Sequence, residues 1–359
     1  MTRFTPPRRR TPRYAVIRAT DIAVFTRQMA TLLSAGIPVV NALELMAQGQ
    51  QHSGMQQLAL QLAYTAQTGG TLAQALRQHP AYFDTLYCDL IESGEQMGKL
   101  EELFTQVADY REQLARMRQQ VRQACWYPIM VLIFAAVVTA VLLVYVVPQF
   151  AAVFADFGAP LPWLTQQVLA LATGVQRYGW LAVCSVAIVF LLIRHRYRQH
   201  RTRLQWDTRV LHIPVIGSIF ELFILTRITR TLALTLAAGV PMLTALVASA
   251  STCGNQLYQR HIAQVHAQVA QGIQLHAAMR QQQIFPTLLI QMVFIGEESG
   301  SLDAMLSKMA TIYERDTQER VTQLTRLLEP LFMVVIGGLV GGLIVAMYLP
   351  IFSLNKVIG

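Results

Sequence analysis

Two glutamates occupy matching acidic turns. Glu95 lies in GEQMGKL, Gly94 to Leu100, and Glu297 in GEESGSL, Gly296 to Leu302. A carboxylate at a helix C-terminus faces the negative end of the helix dipole, which costs up to ~1 kcal/mol unless a cation answers it. Arg27 and Arg230, also at matching positions, are the cations the pattern offers. A bidentate arginine–carboxylate link would tie two helices together. Such a turn can brace its own domain, contact a partner or hold a metal. Glu329, just before Pro330, stands at the edge of an apolar stretch. Carboxylates inside a span usually mark function, whereas at the boundary they either anchor the interface or recognise a partner.

No other constellation suggests chemistry. The eight histidines have no metal-ligand spacing, and H-E-x-x-H, the phosphate loop G-x-x-x-x-G-K-[ST] and G-x-S-x-G are all missing. The sequence therefore predicts neither a catalytic centre nor a cofactor. Cys88, Cys125, Cys184 and Cys253 are too scattered for a C-x-x-C site or a disulfide framework. The net charge of +9 comes without a base-reading motif, so nucleic acid is not an expected partner.

The elements that position these residues are set by the membrane. Hydrophobic residues make up 53% of the 359 and charged residues only 14%, about half the usual share in a soluble domain. No charge interrupts the chain between Arg122 and Asp156, and Pro128 to Val147 supplies the ~20 apolar residues that a bilayer core requires. The uncharged stretch from Pro330 to Asn355 predicts another span. A shorter one, the 16 residues between Arg177 and Arg194, reaches across if both arginines snorkel. Residues 1–127 carry 13 Lys and Arg and residues 194–329 carry 14, out of 29 in the chain. The positive-inside rule puts both segments in the cytoplasm. The run Arg194 to Arg203 reads as a topology anchor or an anionic-lipid site.

The cytoplasmic segments are copies of one another. TRQMATLLSAGIPVVNAL, Thr26 to Leu43, aligns with TRTLALTLAAGVPMLTAL, Thr229 to Leu246, at an offset of 203. The acidic turns and the pair Pro128 and Pro330 align at 202. In the first copy, helices are expected over 21–35 after a Thr20 cap, from Pro38, over 54–68, 72–78 and 84–97, and from 100 into the membrane. Gly36 and Pro38 supply the stop and start signals. The second copy repeats the plan over 219–238, 241–252, 255–270, 273–281, 286–298 and 301–326. The fold class predicted is all-α: a polytopic membrane protein with three transmembrane helices and two duplicated cytoplasmic six-helix bundles. Residues 1–19 are a basic arm, 20–122 the first bundle, 123–149 a span, 150–176 a periplasmic loop and 177–194 a span. A basic linker and the second bundle fill 195–328, the third span 329–352 and a periplasmic tail 353–359.

Several motifs in order carry a resemblance. L-x-x-AG-[IV]-P and G-E-x-x-G-x-L in both copies, IPVIG at Ile213 to Gly217, LEP at Leu328 to Pro330 and GGLVGGLIVAMYLPIF at Gly337 to Phe352 resemble the inner-membrane platform proteins of type II secretion and type IV pilus assembly. The resemblance implies a non-enzymatic platform with two cytoplasmic helical domains and three spans. Its implied partners are a hexameric cytoplasmic ATPase, prepilins or pseudopilins, other inner-membrane assembly proteins, the lipid bilayer and further copies of the chain. The alternative is a transporter or channel subunit, for which the spans offer few polar groups.

Gly337, Gly338, Gly341 and Gly342 spread over about 140° of one helix, a smooth face with two overlapping G-x-x-x-G pairs. The face is expected to pack on the chain's own spans, the sharper alternative being another protomer or a pilin. Gly341→Leu is accordingly expected to be disruptive and Leu343→Ala milder.

Overall fold

The computed structural model describes residues 17–49, 53–149, 163–197, 207–214 and 216–358. Residues 1–16, residues 150–162, the basic run from residue 198 and residue 359 lie outside them. Among the described residues the chain is helical and contains no strand.

The first copy is built from α1 (Ala19–Ser34), α2 (Val39–Gly49), α3 (Ser53–Gln67), α4 (Leu72–Arg77), α5 (Thr85–Met97) and α6 (Leu100–Val141). After α7 (Trp163–Tyr197) come α8 (Ile216–Ala237), α9 (Met242–Thr252), α10 (Gln256–Ala270), α11 (Leu275–Gln281), α12 (Thr287–Ser299) and α13 (Leu302–Ile358). The punctuation is local. Gly36 takes φ 76° and Gly239 φ 70°, the left-handed residue just past α1 and α8. The following amides, Ile37 and Val240, donate back to the carbonyls of Leu32 and Thr235 at 3.1 and 2.9 Å. These bonds satisfy carbonyls that a helix end would leave open. Asp84 caps α5 by accepting from the Tyr87 amide at 3.0 Å. The expected Thr20 cap is displaced: α1 starts at Ala19, and Asp21 accepts from the Arg18 amide at 2.8 Å.

The chain divides into two compact units. Residues 1–117 and 223–314 form one, so both copies of the repeat share a unit. Its core places Phe25 and Met29 of α1 against Leu43, Leu62, Leu76, Tyr87, Ile91 and Phe104, all buried, and Ala238, Val240 and Ala248 of the second copy join this cluster. Phe83 and Tyr87 approach to 5.0 Å between ring centres, and the Tyr87 hydroxyl meets Thr26 Oγ1 at 3.2 Å.

Residues 118–222 and 315–359 form the other unit. Among the described residues two helices are long and apolar enough to cross a membrane: Leu100–Gln149, which is α6 and its extension, and Leu302–Tyr348 within α13. At 1.5 Å per residue, the 57 residues of α13 extend about 85 Å, far beyond a bilayer core of about 30 Å. The third expected span, 177–194, lies within α7. Two expected boundaries move. The stretch 150–176 is not loop throughout, because α7 already begins at Trp163. Its Val168, Leu169 and Ala172 recur at helical spacing and pack against Leu143, Val147 and Leu343, so this part of the expected connection is an amphipathic helix with one buried face. Residues 353–358 continue α13 rather than forming a tail.

The first span ends in a π-helical segment, Leu142–Val146. Pro148 has no N–H, so the carbonyl of Val144, four residues earlier, loses its helical donor. Gln176 Nε2 donates to that oxygen at 3.0 Å. The second copy repeats the problem 202 residues on. Pro350 deprives the Ala346 carbonyl, and Thr165 Oγ1 donates to it at 2.6 Å. A carbonyl freed in this way needs another donor, and α7 supplies one to each neighbour.

Candidate functional site

The G-E-x-x-G-x-L turn is a three-way junction. Gly94 is where α5 crosses the start of α6; a Cβ there would come within 3.2 Å of Leu103 Cδ1, and at Gly296 within 2.8 Å of Leu302 Cα. Gly98 and Gly300 terminate α5 and α12. The glutamate between them reaches to a third helix. Glu95 Oε1 accepts from the Leu72 amide at 2.6 Å and Oε2 from the Ala73 amide at 3.0 Å, which are orphan donors at the N-terminus of α4. Thr71 serves the next amide, that of Gln74, at 3.2 Å.

The second copy repeats this geometry. Glu297 accepts from the Leu275 amide at 2.7 Å and the His276 amide at 3.0 Å, at the N-terminus of α11. It gains a third contact, His276 Nδ1 at 2.7 Å, with the imidazole edge-on to Phe294. Both carboxylates therefore sit at the positive end of another helix. That arrangement corrects the expected pairing: Arg27 does not answer Glu95, and Arg230 does not answer Glu297. Both oxygens of each glutamate are occupied by N–H groups. Among the described residues, no group of three or more His, Cys, Asp or Glu converges as a metal would need.

The arginines brace a different pair of helices. Arg27 of α1 donates through Nε to Glu112 of α6 at 2.6 Å and through Nη2 to Asp109. Arg230 of α8 donates to Glu314 of α13 at 2.9 Å and to Thr311 at 3.4 Å. Glu112 and Glu314 are 202 residues apart, as are Asp109 and Thr311, so the brace is duplicated even though no local motif marks it. The Arg27 hydrogen bond holds the Glu112 carboxyl below its ordinary range. Arg77 adds a fork to Asp89 and Glu92 at 2.8 and 2.6 Å, tying α4 to α5.

Glu329 is exposed on α13. The glycine face behaves differently from expectation. A Cβ at Gly337, Gly338, Gly341 or Gly342 would meet nothing within 4 Å, so these residues do not pack on the described spans of the chain. Leu343, 6% exposed, and Ala346, fully buried, carry that contact instead. Leu343 lies on the side opposite the glycines and Ala346 at the edge of their face, one turn past Gly342, where its carbonyl meets Thr165 of α7.

The motif junctions, the braces and the membrane helices recur at one spacing. The sequence pattern of the type II secretion system protein F family matches the chain twice, over residues 25–148 and 228–350. The chain belongs to this family. Family membership extends from α1 to the end of the first span, and again from α8 to the end of the last. The type IV pilus assembly protein TapC of Aeromonas hydrophila is 43% identical over 346 residues, 96% of this chain and 84% of the relative. The type IV pilus assembly protein PilC of Pseudomonas aeruginosa is 43% identical over 347 residues, 96% of this chain and 92% of that protein. The type II secretion system protein F of Pseudomonas aeruginosa is 31% identical over 343 residues, 96% and 85% respectively. In this family member, the twin glutamates and the twin arginines each join helices in both copies.

Proposed function

We propose that the chain is a non-enzymatic inner-membrane platform for type IV pilus assembly. The carrying observation is the double family match together with the identity gap: 43% to pilus assembly proteins against 31% to a secretion protein over the same length. Two bundles in the cytoplasm and three spans, with α7 as the second, fit the charge distribution. A cytoplasmic hexameric ATPase acts on the bundles, and prepilins meet the spans. The unoccupied glycine face and exposed Glu329 are the contact points proposed for prepilins or another inner-membrane assembly protein. The chain carries no phosphate loop, so nucleotide hydrolysis belongs to the ATPase.

Deleting the chromosomal copy should abolish surface pili, leave type II secreted proteins at their normal level, and be reversed by the chain supplied in trans. Retained pili with failed secretion would refute the reading. Topology is tested separately: alkaline phosphatase fused after Asp156 should be active and after Gln271 inactive. The opposite pattern reverses the orientation.

A further inference from the structure

The two copies meet through a contact that only half uses each of them. On the first copy, α5 and α6 supply the face: Ser93 Oγ donates to the Ala238 carbonyl at 2.5 Å, and the Tyr110 hydroxyl lies 3.3 Å from Thr231 Oγ1. On the second copy, α8 and α9 supply it, with Ala238 fully buried and Ala248 6% exposed within the first copy's core cluster.

The repeat gives each of these residues a counterpart. Ser93 corresponds to Ile295 of α12, at offset 202; Ala238 corresponds to Ala35 and Ala248 to Leu45 of α2, at offset 203. A contact with twofold symmetry would bury the counterparts as well. They are not buried: Ile295 is 47% exposed, Leu45 48%, and Ala35 is open. The contact is therefore heterologous, a socket on one copy and a plug on the other, and one socket and one plug remain unfilled.

The unfilled α12 face is apolar. Phe294 is 43% exposed beside Ile295, and the helix carries no charge before Glu297. An exposed apolar cluster marks an interaction site. We propose that α12 of one chain docks on the α1–α2 corner of a second chain, repeating between molecules the contact that α5 makes with α8 and α9 within one. A heterologous contact propagates head to tail, closing into a ring or running on as a helix.

Ala35→Cys and Ile295→Cys test this in the full-length chain in its own membrane, because both positions are exposed and neither substitution disturbs a core contact. Oxidation of the double variant should give disulfide-linked dimers and higher species on a non-reducing gel. Two chains carrying one substitution each, co-expressed, should give dimers and stop there. Peptide mapping should find the 35–295 link. Adding Leu45→Asp to the double variant should lower its yield at least about tenfold, the effect of a charge placed in an apolar contact. The proposal is overturned by the absence of a 35–295 link, by Ala35→Cys chains linking only to one another, by Ile295→Cys linking to a different protein, or by a yield that Leu45→Asp leaves unchanged.

Discussion

Glu95→Ala removes both acceptors that hold the first turn of α4. The Leu72 and Ala73 amides lose hydrogen bonds at 2.6 and 3.0 Å, and both residues are buried, 2% and 0% exposed. A hydrogen bond to a charged group contributes about 1.5–3 kcal/mol. Two of them at a half-buried carboxylate, discounted for water reaching the opened turn, amount to about 2–4 kcal/mol. Helix α4 has only six residues and is held from outside by this cap and by the Arg77 fork. It should therefore open locally rather than with the whole unit. At 1.4 kcal/mol per factor of ten, amide exchange over Leu72 to Arg77 should accelerate between about 30-fold and several hundred-fold, measured by deuterium exchange and mass spectrometry on the purified full-length chain. Glu95→Gln keeps one acceptor and should give a smaller acceleration. Unchanged exchange over α4 in Glu95→Ala would show that the glutamate does not hold that helix, and the junction reading of the motif would fail.

Glu112→Gln should weaken the unit and flatten its acid sensitivity. The folded carboxyl is held low by Arg27, so its contribution is present above the ordinary carboxylate range and disappears as pH falls through the depressed folded value; a urea series from about pH 6 to about pH 3 reads it. Burial pushes the Cys88 thiol up to about 11, so maleimide should modify it at neutral pH only as the unit unfolds, and rapid labelling of folded protein would contradict its burial. Leu343→Ala should reduce the amount of protein in the membrane, while Gly341→Leu, at a position where a Cβ has nothing within 4 Å, should leave that amount normal and lower pilus output. Gln176→Leu leaves the Val144 carbonyl without a donor and should lower the melting temperature in detergent, whereas Gln176→Glu at low pH, where the protonated acid can donate, should restore it.

The helices of both copies were legible because their limits are written locally. Gly36 with Pro38, and Asp84 before α5, place the breaks within a few residues. What escaped was the identity of partners across the fold. Asp109 and Glu112 sit 82 and 85 residues from Arg27 in a long charged stretch of α6, where nothing local distinguishes them from other acidic residues. The repeat held the missing signal, since Glu314 follows Glu112 by the same 202 residues that separate the acidic turns. The start of α7 escaped for another reason: Thr165, Gln166 and Gln167 lower the hydropathy of a helix whose polar groups are needed to bond backbone oxygens. Prolines 148 and 350, equivalent in the repeat, announce that need one turn in advance.

Duplication also explains why the glycine face and the α12 face stand open while other surfaces do not. Interior devices, such as the glutamate cap, the arginine brace and the proline-freed carbonyl, recur in both copies because each bundle or span must solve the same problem alone. Outer faces had different histories once two copies were joined. The face used within the chain acquired directional bonds: Ser93 to a carbonyl, and Tyr110 to Thr231, itself 3.0 Å from Thr252. Its unused counterpart has Ile295 and Ile312 at the equivalents of Ser93 and Tyr110. A tethered contact forms at high effective concentration and can rely on a few polar bonds, whereas a contact between separate chains must hold itself together by apolar area. The shift from Ser and Tyr to Ile and Ile is the change that difference requires.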